Sequence, residues 1–114
     1  MSWLKIYDWE LSAYPQFRDI TVGRADARAY FKKFARHFKV SEPSVLLINK
    51  RSGGTYYSFS QSIALPQMTN LGTVVHEFAH HLADRTHGSR QKHGKNFKRA
   101  LKKTYTFAKR YLPQ

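Results

Sequence analysis

The chain has no cysteine. That excludes structural disulfides, a thiol nucleophile and any zinc ribbon or finger built on thiolates. Acidic residues are scarce. Seven Asp and Glu stand against twenty Lys and Arg, so few carboxylates are left to neutralise the cations. No apolar run approaches the length of a membrane span. At the N-terminus, Met1, Ser2, Trp3, Leu4 and Lys5 do not lead into an apolar stretch, because Asp8 and Glu10 interrupt it. A signal peptide is therefore not expected. These absences point to a soluble protein with a cytoplasmic (intracellular) location.

What is present is one domain's worth of chain. At 114 residues, any site and any binding surface must share one fold. The expected organisation is a single domain over 1–114, with 1–22 as an N-terminal arm. That arm is rich in apolar area from Trp3, Leu4, Ile6, Tyr7, Trp9, Leu11 and Tyr14, and Pro15 interrupts it. The net charge of +13 favours polyanionic partners, nucleic acid first and an anionic membrane surface second.

The periodicity changes three times. From Arg24 to Lys39, Ala27, Tyr30, Phe31, Phe34 and Phe38 recur at helical spacing, and Asp26 suits the first turn. Ser41 and Pro43 end this helix. Residues 44–66 read as strands: Val45-Leu46-Leu47-Ile48, then Thr55-Tyr56-Tyr57-Ser58-Phe59, then Ser62-Ile63-Ala64-Leu65. Arg51-Ser52-Gly53-Gly54 is a turn signal between the first two. A small antiparallel sheet is expected, its last strand at or near an edge. A second helix is expected over 70–85, capped by Thr69 or Asn70, with Gly72 placed for close packing. A third helix over 94–112 has Phe97, Leu101, Tyr105, Ala108 and Leu112 on its apolar face. The fold class is α+β, with about three helices and a small antiparallel sheet.

The second helix carries His76-Glu77-Phe78-Ala79-His80. Residues four apart share a helix face, so His76 and His80 are spaced to grip one metal ion. Glu77 follows the first ligand and is placed to accept a proton from metal-bound water. The expected cofactor is Zn2+, and a catalytic zinc site takes three protein ligands. His81 points about 100° round the helix from His80 and is a poor third. Asp84 lies one turn beyond His80 and is either a ligand or a hydrogen-bond partner that holds a ligand histidine. His87 remains open, and His93, brought back by a loop while Phe97 anchors the next helix, is favoured.

This pattern, followed by His93-Gly94-x-x-Phe97, resembles the SprT-like (Spartan-type) zinc metallopeptidases. The resemblance covers roughly residues 20–105. It implies a minimal zincin-like fold, with a helix and a small sheet before the metal helix. It implies His76, His80 and His93 as zinc ligands and Glu77 as the general base. It also implies action on proteins crosslinked to or bound on DNA. Many members carry a cysteine zinc ribbon that this chain lacks.

The function expected on these grounds is that of a zinc-dependent endopeptidase hydrolysing peptide bonds, with DNA-bound proteins among the expected substrates. The alternative is a non-catalytic nucleic-acid-binding module with a structural zinc site. An extended substrate is expected to pair with the sheet near Ser62 to Leu65. Tyr56, Tyr57, Arg90 or Lys92 are open choices for oxyanion stabilisation, with ordinary packing the better account of the tyrosines. The expected partners are a protein or peptide substrate and DNA, without a membrane. The candidate nucleic-acid contacts are Arg28, Lys32, Arg36, Arg90, Lys92, Lys95, Arg99, Lys102 and Lys103.

Overall fold

A computed structural model describes residues 9–10, 12–48, 54–87 and 94–111. Helix α1 (Arg24–Phe38) forms where the sequence pattern places it, because Ala27, Phe31, Phe34 and Ala35 fall on one buried stripe. It ends at Lys39, whose φ of 58° is left-handed; its N–H and that of Val40 both reach the Ala35 carbonyl. Helix α2 (Leu71–His87) is the centre of the molecule, with eleven of its residues buried. Asn70 caps it, accepting the Thr73 N–H at 2.9 Å through its side-chain oxygen. Helix α3 (Lys95–Ala108) runs into a 3-10 turn, Lys109–Tyr111, and buries Phe97, Leu101, Thr104, Tyr105 and Phe107. Gly72 of α2 lies beneath the Tyr105 hydroxyl and Phe17, each 3.7 Å from where a Cβ would stand. The expected close packing at this glycine is present.

The α+β class with three helices holds, but the sheet differs from the expected one. Strands β1 (Thr21–Gly23), β2 (Ser44–Leu47), β3 (Thr55–Tyr57), β4 (Ser62–Leu65) and β5 (Met68–Asn70) form two sheets. The larger is mixed, in the order β2-β4-β3. Strand β2 runs parallel to β4 with Val45 opposite Ile63; β3 runs antiparallel to it with Tyr56 opposite Ile63. The strands flanking the Gly53-Gly54 turn signal thus do not pair with each other. Strand β4 lies in the middle and is buried at every position. It offers no free edge, so the expectation of substrate pairing at Ser62 to Leu65 is corrected. The smaller sheet, β1 with β5, pairs Val22 with Thr69 across the start of α1 and α2.

Ahead of β1, a 3-10 turn over Pro15–Asp19 buries Phe17 completely. Tyr14 stacks on Tyr105 with ring centroids 4.3 Å apart, and Trp9 meets both rings edge-on. These contacts, with Phe17 edge-on to Tyr105, seat Trp9, Tyr14 and Phe17 against α3. Among the described residues, no helix is long and apolar enough to cross a membrane.

Candidate functional site

The polar residues of α2 are turned inward. A helix buried on most sides leaves little room for a solvated face, so His76, Glu77 and His81 are all buried. Burial of polar groups requires partners. Among the described residues, every buried side-chain nitrogen and oxygen has one.

His76 meets the N-terminal segment. Its Nδ1 lies 2.5 Å from Glu10 Oε1, and the Tyr105 hydroxyl donates to Glu10 Oε2 at 2.5 Å. One carboxylate thus joins the N-terminal segment, α2 and α3. Burial by itself would lower the His76 pKa, but the hydrogen bond and negative charge of Glu10 outweigh it and leave the pKa raised. The Tyr105 hydroxyl is pushed up by burial and by the Glu10 charge.

Glu77 is set against the start of β3. A Cβ on Gly54 would stand 3.0 Å from Glu77 Cγ, so the missing side chain allows strand and helix to approach. Burial raises the Glu77 carboxyl to about 7, opposed by the His76 charge and helped by that of Glu10. His80 is half-buried. Its ring stacks on Phe97 at 4.1 Å and lies 5.2 Å from that of His76. Phe97 anchors α3 in the core as expected.

His81 and Asp84 belong to another cluster. His81 Nε2 donates to the Ser41 carbonyl at 2.7 Å. The Tyr56 hydroxyl donates to Asp84 Oδ2 at 2.7 Å and lies 3.2 Å from His81 Nδ1. The single phenolic proton goes to the shorter contact. Burial lowers the His81 pKa, so the ring is neutral with its proton on Nε2. Tyr56 therefore ties β3 to α2, and Asp84 is engaged by a tyrosine rather than by a metal-site histidine. His87 is exposed in the last turn of α2. His93, Arg90 and Lys92 lie outside the described residues.

Among the described residues, no group of three or more His, Cys, Asp or Glu side chains is placed to hold a metal ion. This corrects the zinc expectation. His76 and His80 do share a face, but Glu10 engages His76 through a hydrogen bond, and His81 and Asp84 are committed elsewhere. The Zn2+ cofactor, the zinc metalloendopeptidase and hydrolase assignment, and the structural-zinc alternative all fall with that donor set. So does the role of Glu77 as base to zinc-bound water.

The basic residues are placed differently. On α1, Arg28, Lys32 and Arg36 are exposed along one stripe. On α3, Lys95, Arg99, Lys102 and Lys103 are exposed, joined by Lys109 and Arg110 in the 3-10 turn. Residues 94–111 hold seven Lys and Arg and no Asp or Glu. Among the described residues the ion pair found is His76 with Glu10, so no described carboxylate neutralises the α3 cations. From α1 it is Lys33 that meets this end of α3, its ammonium 4.7 Å from the Tyr111 ring centroid. Sequence reasoning passed over Glu10, a lone acid in an aromatic segment, and Lys33, one residue off the stripe it favoured. Comparison with models of known protein families, with curated proteins and with solved structures finds no match for this chain.

Proposed function

We propose that this protein binds nucleic acid through the exposed face of α3, by contacts to phosphate and without reading base sequence. One observation carries the proposal. Of the seven exposed positions between Lys95 and Arg110, six are Lys or Arg and the seventh is Thr106. The 14 residues of α3 hold four of these cations along about 21 Å, and Lys109 and Arg110 continue the stripe in the 3-10 turn. Point charges of one sign at that density suit a phosphate backbone. Of the side chains that read base edges, the exposed stripe offers no amide, and four of its six cations are lysines, which bind phosphate as point charges. An intracellular setting, where nucleic acid is abundant, is part of the proposal. So is a kinship of fold with the SprT-like family, supported by the order of α1, the sheet, α2 with its His76 to His80 pattern, and α3. No zinc chemistry is included in that kinship.

Fluorescence anisotropy with a labelled DNA duplex tests the proposal. Binding is expected at about 50 mM salt and is expected to weaken steeply by about 200 mM. The Arg99→Ala, Lys103→Ala double variant should weaken binding to unrelated sequences alike and reduce the salt slope by about two. No binding at low salt, or a slope unchanged by the double variant, overturns it.

A further inference from the structure

The cations of α3 and of the 3-10 turn that follows it do not all point into open solvent. Lys102 Nζ lies 5.9 Å from the centroid of the Trp9 ring, and Lys109 Nζ lies 5.1 Å from that of Tyr14. Both rings are only partly buried. They belong to the N-terminal segment and sit side by side, edge to face at 5.4 Å, along the Tyr105 flank of the basic stripe. Tyr14 uses one face to stack on Tyr105, with an interplanar angle of 2°. The stacked pair also fixes the ring's tilt.

From this arrangement we infer that the preferred ligand is an unpaired nucleic-acid strand, whose bases stack on Trp9 and Tyr14 while Lys102 and Lys109 move onto its phosphates. The inference rests on the nucleic-acid reading above and adds the state of the strand. Magnitudes favour the exchange. A lysine over a partly exposed ring is held weakly, whereas base stacking on an aromatic side chain is the stronger contact and tolerates any sequence. The displaced ammonium is not lost, because the phosphate beside the stacked base receives it. A duplex keeps its bases inside, so it gains the phosphate contacts alone. Phe107 and Tyr111 lie on the opposite flank, under Arg110 and Lys33 respectively, and are not required.

The test compares a labelled oligothymidylate with a matched duplex, by anisotropy at low salt. The single strand is expected to bind at least about five-fold tighter, and Trp9→Ala to remove most of that advantage while duplex affinity stays within about two-fold. Trp9→Phe should restore it. Should Trp9→Ala fail to fold, indole emission in a Trp3→Phe background, which leaves Trp9 as the sole tryptophan, gives the same answer: quenching by oligothymidylate and not by duplex is expected. Equal affinity for the two ligands, or no quenching by the single strand, overturns the stacking inference and leaves the phosphate-binding proposal standing. Failure of both ligands to bind overturns that earlier proposal instead.

Discussion

Glu10 joins three parts of the chain through one carboxylate. It accepts from Tyr105 and pairs with His76, across 95 and 66 positions of sequence respectively. Its side chain is only 13% exposed, so solvent does little to replace those partners. Among the described residues, removing it leaves the buried Tyr105 hydroxyl with the Gly72 carbonyl at 3.5 Å, too long for a good bond. It also removes a hydrogen-bond partner from the buried His76 ring. Glu10→Ala is therefore expected to cost about 2–3 kcal/mol in urea unfolding, whereas Asp19→Ala at an exposed position should stay within about 0.5 kcal/mol. Comparable losses in the two variants would show that the carboxylate does not join the three segments. Phe97 and the Asn70 cap were legible from sequence because their signals are local: a periodic aromatic, and a capping residue beside its helix. Glu10 was not, since nothing local marks a carboxylate whose partners lie in two distant helices. The pairing of His76 and His80 was legible as a shared face. Whether a donor set forms there depends on groups that only tertiary packing brings near, and those described are engaged with Tyr56, Ser41 and Tyr105.

At the scale of elements, the three helices could be read because period 3.6 persists over many residues. The short strands could not be read as completely. Strands β1 and β5 have three residues each, too few to show alternation. The parallel pairing of β2 with β4 depends on which strand enters the middle of the sheet, and β4 qualifies because all four of its residues can be buried. Helix ends are also imperfectly legible. The sequence places the end of α1 near Lys39 through Ser41 and Pro43, but does not reveal that Lys39 itself turns left-handed. That conformation costs a residue with a Cβ about 1–2 kcal/mol, while glycine there loses about 0.5–1 kcal/mol of backbone entropy. Lys39→Gly is thus expected to stabilise the fold by about 0.5–1 kcal/mol, seen as a higher urea midpoint with an unchanged slope. A lower midpoint would mean that the lysine side chain makes a compensating contact.

The whole molecule carries +13 in a body of 32 × 29 × 28 Å. At about 10 mM ionic strength the screening length is about 30 Å, so every charge feels every other; at about 100 mM it is about 10 Å, and only neighbours interact. Self-repulsion of a single-sign charge destabilises the compact state. The ion pair found among the described residues, His76 with Glu10, is buried and little affected by salt. Added NaCl therefore has much repulsion to screen and little exposed attraction to weaken. The urea midpoint is expected to rise between about 10 and 100 mM NaCl, over the same range in which affinity for DNA falls. The opposite signs matter, because a loss of binding caused by unfolding would move both quantities downward together. A bound oligonucleotide at low salt should act like the added salt and raise the midpoint, since its phosphates neutralise the α3 stripe. If the midpoint instead falls with NaCl, attraction between surface charges outweighs repulsion, and the basic face is already neutralised by the protein itself.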